Sequence, residues 1–478
     1  MRTIRGFKEF GLSLLALSGV VDGQSPTEVS SGVTFPVSYR SLEGGGHPSQ
    51  LYSWACIDPG SPFHILGLAI SVKSGPQCGT AGRFRCASWY VSRDGGKIWC
   101  CQSLTLPDLP AIVGTPQPAA TYAFVADPTA SYDNWGSYRN NAYATWLVHA
   151  PDTVTPPLPE SRVYMKRLIR PATLPPPNPP AGCDSWDPEL PVVFDPPVAS
   201  IGGVSYGVDK PFLAIDQNLT STYLNRMYVA AAYWVPFGQM NPCEWPSNTY
   251  IYCRTGNASP PPPPANNSWT TFNGPSPASV PPFGAPCTVQ PSSPGGVLVS
   301  DHPPGSPPNR ELDAPYVAVA QNGWVYIAWI ELAANVELTS GIIWIDRSID
   351  GGLTWGLEGI QLPDYNIHNI PRVAHTVRTG MSTVAWANSH PKIAIDRVDP
   401  NLVHVVWTEK PEIAQGLAGD ADIKYKSVRF APPGVKPPIP PPLAVRNIRH
   451  PGQQPVGRRS SADGRARSVS SHDCDRCR

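Results

Sequence analysis

The chain has 478 residues, 41% of them hydrophobic, and its 36 Lys and Arg balance 36 Asp and Glu to a formal charge of zero. That balance leaves no global field to draw in nucleic acid or an anionic membrane surface. The 60 Pro are too many for a helical protein and fit short strands joined by rigid loops, and no apolar run is long enough to span a bilayer.

Residues 1–23 read as an export signal: Arg2, Arg5 and Lys8 precede the apolar run Phe10 to Val21, with small residues near Gly23. An exported chain would work secreted, at a cell surface or in a periplasm. The 11 Cys suit such an oxidising compartment. Cys78 with Cys86 and Cys243 with Cys253 flank loops, Cys100 and Cys101 sit together, and these are expected to be disulfide staples. The odd total leaves at least one thiol over. The only C-x-x-C pair, Cys474 and Cys477, lies in a basic tail and matches no zinc pattern.

One eight-residue stretch occurs twice. Ser92, Asp94, Gly95, Gly96 and Trp99 have their counterparts in Ser348, Asp350, Gly351, Gly352 and Trp355, both reading S-x-D-G-G-x-x-W after a β-like run. The glycines supply the positive φ of a tight strand connection, Ser and Asp cap its amides, and the Trp drops onto neighbouring strands.

A longer repeat runs between and beyond these turns. Asp209 to Asp216 leads to Arg226 to Trp234, Asp313 to Val319 leads to Trp324 to Trp329, and His390 to Asp396 leads to Leu402 to Trp407. Weaker copies start at Asp127-Pro128 and His47-Pro48. Each copy is a strand opening on Pro, a polar turn, and a second strand carrying Trp. The apolar runs are nearly continuous, as in strands buried on both faces. Repetition of such units is the signature of an all-β propeller. Five units are countable, and a sixth four-stranded blade is expected from Val33 to Leu42 closing the ring. The propeller would span 24–430, followed by a Pro-rich linker at 431–443 and a disordered basic tail at 444–478. Asn218-Leu-Thr, Asn257-Ala-Ser and Asn266-Asn-Ser fit the glycosylation acceptor pattern.

The two S-x-D-G-G-x-x-W turns resemble the Asp-box (BNR) repeat of sialidase-like β-propellers, and the resemblance covers most of 46–430. In that family the box is a structural turn remote from the catalytic face, so Ser92, Asp94, Gly96, Trp99, Ser348, Asp350, Gly352 and Trp355 are implied to be structural. The resemblance also implies an extracellular glycan or glycoprotein as partner. The family's first strand carries an Arg two residues before Pro that grips the substrate carboxylate. Here Asp209 and Asp313 hold that place, and Asn369 precedes Ile370-Pro371, so no sialidase catalytic residue transfers.

The starts of the inner strands face the central opening of a propeller, which makes Asp127, Asp209, Lys210, Asp313 and His390 the candidates for a lined site. Three readings of the Asp set stay open. Each Asp caps its own strand start; or several converge on calcium, which favours carboxylate oxygens; or two perform glycoside hydrolysis. In the last case Asp209 and Asp313 are the catalytic candidates, with Glu311, Glu331 or Glu409 as partners and Lys210, His390, Asp127 and Trp135 as substrate contacts. Trp135 sits in a turn, where its ring could stack on a sugar, as could Tyr138, Trp245 and Trp269. No nucleotide or Ser-hydrolase motif is present. The functional expectation is a sialidase-like propeller that recognises or hydrolyses glycans, with a non-catalytic binding propeller as the alternative.

Overall fold

The computed structural model describes residues 49–72, 85–96, 100–103, 124–135, 140–149, 161–169, 185–186, 192–194, 207–234, 249–258, 296–300, 310–333, 340–356, 365–370, 377–379, 383–385, 389–409, 422–431 and 446–447. The expected signal 1–23, Trp99, Tyr138, Trp245 and Trp269 lie outside them.

Five antiparallel sheets follow one another along the chain. The first blade is Ser49–Asp58 (β1), Ser61–Val72 (β2), Arg85–Ser92 (β3) and Cys100–Ser103 (β4). The second is Phe124–Tyr132 (β5), Ala142–His149 (β6) and Ser161–Ile169 (β7), edged by Ser185–Trp186 (β8) and Val192–Phe194 (β9). The third is Gly207–Ile215 (β10), Arg226–Trp234 (β11), Thr249–Asn257 (β12) and Val297–Leu298 (β13). The fourth is Arg310–Val319 (β14), Val325–Ala333 (β15), Gly341–Ser348 (β16) and Tyr365–Ile370 (β17). A small hairpin, Val377–Thr379 (β18) and Thr383–Ala385 (β19), precedes the fifth. That blade is Lys392–Ile395 (β20), Leu402–Glu409 (β21), Asp422–Arg429 (β22) and Arg446–Asn447 (β23).

The architecture is therefore an all-β propeller, but with five blades rather than six. The expected sixth rested on an N-terminal strand supplying the last edge. Instead the fifth blade takes its fourth strand from beyond the Pro-rich segment, where Arg446 pairs with Tyr425 and Asn447 with Lys424. Residues 33–42 lie outside the described chain. Trp54 of β1 and Lys392 of β20 meet with the lysine amine 5.8 Å from the ring centre, so the inner strands of the first and last blades approach one another.

The core is a set of inter-blade seams rather than one central mass. Four hydrophobic clusters join blades 1 and 2, 2 and 3, 3 and 4, and 4 and 5 in turn. This is why the second strands of the middle blades read as unbroken apolar runs: blades 2, 3 and 4 are covered on both faces by their neighbours. Trp146, Trp329 and Trp407 occupy the same place on β6, β15 and β21 and are fully buried. In β11 that register position is Ala231, and Trp234 falls three residues later, so the Trp that marks this unit in the sequence is not its structural equivalent.

Two expectations about local chemistry are settled here. Cys253 is a buried free thiol, as is the thiol of half-buried Cys56, so a Cys243–Cys253 staple is corrected: Cys253 points into the seam between blades 3 and 4. The S-x-D-G-G segments fold alike at the ends of β3 and β16. Gly96 N donates to Ser92 Oγ at 2.7 Å and Gly352 N to Ser348 Oγ at 2.8 Å, while each Ser hydroxyl donates to its Asp (2.8 and 2.7 Å). Gly95, Gly96, Gly351 and Gly352 all have positive φ, between 73° and 93°. Trp355 is buried against blade 3.

Candidate functional site

The inner strands share an irregularity that builds the site. In β5 the pairing with β6 skips from Ala126 to Thr129, in β10 from Asp209 to Phe212, in β14 from Asp313 to Tyr316, and in β1 from Leu51 to Trp54. Each skip is a bulge of two residues. Its first residue is left-handed in three blades: Asp127 at φ 45°, Lys210 at 48° and Ala314 at 53°. The second is Pro, which has no amide to lose from the ladder. A non-glycine residue in this region costs on the order of 1–2 kcal/mol, and such strain concentrates at functional sites.

The bulge corrects the sequence alignment of the repeats. Asp127 is equivalent to Lys210 and Ala314, not to Asp209 and Asp313; the equivalent of those two in β5 is Ala126. The ring at the mouth of the channel therefore carries Asp127, Lys210, Ala314 and His390, each just before a Pro, with Asp209 and Asp313 one residue earlier.

These side chains converge from four blades. Lys210 Nζ lies 3.1 Å from Asp127 Oδ2 and 3.4 Å from Asp209, and His390 Nε2 lies 3.5 Å from Asp313 Oδ2. Asp209 Oδ1 accepts the amide of Lys210 at 2.8 Å and Asp313 Oδ1 that of Ala314 at 2.7 Å, so each also fastens its own bulge. Their side chains keep 24% and 12% of their surface exposed, which leaves the cluster reachable from the mouth.

The two aspartates are electrostatic opposites. Burial, with the charges of Asp127 and Asp313, pushes the Asp209 carboxyl up to about 8 against the pull of Lys210. Burial would raise Asp313 as well, but the hydrogen bond and charge of His390, with Lys210, hold it well below the usual carboxylate range. Burial would lower Lys210, yet the charges of Asp127, Asp209 and Asp313 keep its amine above the ordinary lysine range. One carboxylic acid and one carboxylate thus stand at the same opening near neutral pH.

Directly below, the residue following each bulge forms a second layer: Trp54, Thr129, Phe212, Tyr316 and Lys392, one from each blade. Trp54 meets Phe212 edge-on at 5.0 Å and Tyr316 at 6.0 Å, and Phe212 and Tyr316 are tilted at 4.0 Å. These rings, from three blades, pack against one another. The layer was missed in the sequence, although its signal, the residue after Pro in Pro211-Phe212, Pro315-Tyr316 and Pro391-Lys392, is visible there.

The other candidates fall elsewhere. Glu331 and Glu409 end β15 and β21 on the mouth side, but both are buried and bind tryptophan indoles: Trp344 Nε1 donates to Glu331 at 2.6 Å and Trp407 Nε1 to Glu409 at 3.3 Å. Glu311 pairs with Leu332 in the β14–β15 ladder. Trp135 follows the far end of β5, on the opposite side of the disc from Asp127, because eight residues of extended chain separate them. It is 38% exposed. Among the described residues no group of three His, Cys, Asp or Glu is arranged to hold a metal ion, and no helix is long and apolar enough to cross a membrane.

No protein-family model matches the chain, and no curated protein matches it. Solved structures similar to it include an α-L-arabinanase from Penicillium chrysogenum complexed with arabinobiose (12% identity, TM-score 0.41, covering 78% of this chain and 77% of that one). The NanB sialidase from Streptococcus pneumoniae (10%, TM-score 0.40, 85% and 63%) and a levansucrase from B. megaterium (8%, TM-score 0.40, 82% and 85%) are others.

Proposed function

We propose that the mouth of the axial channel is a glycoside-hydrolysing site of a secreted or surface-exposed propeller, with Asp209 as general acid and Asp313 as the anionic carboxylate. The observation that supports the reading is the meeting of Asp209 and Asp313 from two blades, one against Lys210 and the other against His390, surroundings that push their carboxyls in opposite directions and so suit a division of acid and base roles. Asp209 would give its proton to the departing glycosidic oxygen as that bond breaks. Asp313 would attack the anomeric carbon or take the proton of an attacking water, according to the separation of the carboxyls around the bound sugar. Lys210 and His390 hold Asp209, Asp127 and Asp313 in place, and Trp54 and Tyr316 offer ring surface below. Since the cations touching these carboxylates are a lysine and a histidine, the preferred substrate is a neutral glycan rather than a sialoside.

The test is turnover of a panel of aryl glycosides, sialosides included, by the full chain with and without calcium. Asp209→Asn and Asp313→Asn should each lower kcat by about 100-fold or more while the variants stay folded. The packing of Trp54, Phe212 and Tyr316 against one another beside the aspartates favours a second reading, a non-catalytic glycan-binding disc. Saturable glycan binding without turnover by the wild-type chain would select it.

A further inference from the structure

The turn side of the disc, opposite the mouth, collects exposed apolar side chains. Of the seven large ones exposed among the described residues, only Ile423, paired with Thr408 near the end of β21, lies toward the mouth. The other six keep between 37% and 92% of their surface in solvent, and every blade supplies at least one. Ile57 and Phe63 flank the first turn of blade 1. Trp135, Leu219 and Val398 stand in the corresponding turns of blades 2, 3 and 5, and Leu353 tips the S-x-D-G-G segment of blade 4. Exposed apolar residues scattered singly need no explanation, but six gathered on one side mark an interaction surface.

That surface has a rigid base. Asn140 binds Asp58, Asn134 binds Gln217, Asn218 binds Ala320 and Tyr326 binds Pro400, which ties blades 1 to 5 together in order. Little of it needs to be ordered on docking, so the entropic cost of association is reduced. Its charge points to the partner. Val398 stands between Arg397 and Asp399, Leu353 N donates to Asp350 at 3.0 Å, and Phe63 O accepts the amide of Gly95, next to Arg93 and Asp94, at 2.9 Å. The tips thus carry both signs, without the basic excess that an anionic bilayer attracts. A second copy of the chain, of formal charge zero, brings the same mixture and no net repulsion. Four strands about 4.8 Å apart give the disc a radius of roughly 19 Å and a face on the order of 1,100 Å², against about 800 Å² per partner in a stable interface.

We propose that the turn side is the interface of a homodimer, in which two copies meet face to face about a two-fold axis with both channel mouths pointing outward. Such an interface pairs the same surface on each copy, so assembly closes at two. The proposal is independent of the chemistry at the mouth.

Sedimentation equilibrium of the full chain from about 1 to 100 µM tests it. The protein is made without N-glycans, because Asn257 ends β12 on the same side. A monomer–dimer equilibrium half-dissociated at or below about 10 µM is expected. The double variant Leu219→Asp/Val398→Asp sets like charges against one another across the interface and should weaken the dimer by about 100-fold or more. Its melting midpoint should be unchanged, since both side chains are exposed, and Ile423→Asp should leave the dimer intact. A wild-type chain that stays monomeric throughout would overturn the proposal, as would a double variant that dimerises like wild type. A dimer that survives as a covalent species on a non-reducing denaturing gel would also overturn it. A monomer that co-floats with phosphatidylcholine vesicles, but not after Leu219→Asp/Val398→Asp, would give the same tips to a lipid surface instead.

Discussion

Asp209 offers a direct test of the electrostatics at the channel mouth through stability rather than activity. Burial penalises its charge and pushes the folded carboxyl up to about 8, against 3.8 for an aspartate in water. Between about pH 4 and 8 the folded protein therefore holds a proton that the unfolded chain has released, and stability falls as pH rises through that window. A whole proton is worth about 1.4 kcal/mol per pH unit. The quarter-exposed side chain and the Lys210 contact reduce this, so about half that slope, roughly 2–3 kcal/mol across the window, is expected. The neighbours do not confound it. Asp313, with a lowered value, contributes stability that is already complete above pH 4, and Lys210, with a raised one, stabilises throughout until pH exceeds the ordinary lysine range. Lys392 acts only above about pH 8, where it works in the opposite sense. The Asp209→Asn amide is nearly isosteric with the neutral acid, so at pH 5 wild type and variant should melt within about 1 °C. At pH 9 the variant should be more stable by about 3–5 °C, since one kcal/mol moves the midpoint of a domain this large by about 1–2 °C. Thermal melts from pH 5 to 9 decide it. A variant destabilised equally at both ends would mean that Asp209 is an ordinary anion required by Lys210, and the assignment of the acid would fail.

Three further outcomes follow from the scaffold. Gly352 has φ +83°, and an added Cβ would lie 2.9 Å from Thr255 Cγ2, so Gly352→Ala should cost about 2–4 kcal/mol in denaturant unfolding, while a change at exposed Leu353 should cost little. Asp58 is buried and accepts from Gly60 N and Asn140 Nδ2, both at 2.8 Å, the latter from the next blade, so Asp58→Ala should cost about 2–4 kcal/mol by leaving that amide without its acceptor. Burial pushes the thiols of Cys56 and Cys253 well above their ordinary range, so both should resist alkylation at pH 8 in the native protein and react on unfolding, as peptide mass mapping would show.

The repeat was legible because it is built from short-range chemistry. Asp-Gly-Gly turns, Pro at strand starts and unbroken apolar strands each leave a local mark, and together they specified an all-β propeller. Blade number was not legible, because it depends on which distant segment supplies the last edge, and Arg446 and Asn447 sit beyond a Pro-rich stretch that reads as the end of the fold. The site was half legible. Asp209, Lys210, Asp313, His390 and Asp127 do meet, as their place before Pro suggested, but the bulge moves Asp127 one register away from the other two aspartates. The offset was present in the sequence, since Asp127 directly precedes Pro128 while Asp209 and Asp313 stand two residues before theirs, but aligning the repeats on Asp rather than on Pro hid it. Trp135 failed for a plainer reason: eight residues is one strand length, which carries the ring across the disc.

The two faces of that disc divide the chemistry. On the turn side, side chains clamp neighbouring blades: Asn140 Nδ2 donates to the Asp58 carboxylate of the preceding blade at 2.8 Å, and main-chain carbonyls of the next blade accept from Asn134 (Gln217 O, 2.6 Å), Asn218 (Ala320 O, 2.9 Å), Arg226 (Gly351 O, 2.9 Å) and Tyr326 (Pro400 O, 2.7 Å). These clamps fix the angle between blades without drawing on the mouth. They also commit the Asn218 amide to Asp216 and Ala320, so of the two described acceptor motifs only exposed Asn257 remains available to a glycan in the folded protein. On the mouth side the same inner strands carry three left-handed residues and a cluster of mixed charge, features that would be eliminated if stability alone were selected. A rigid far face lets the near face keep that strain, because the bulges cannot relax without reopening seams that each bury a full hydrophobic cluster. The meeting of three strained bulge residues with a cluster of mixed charge at the mouth is the physical argument for looking for chemistry there.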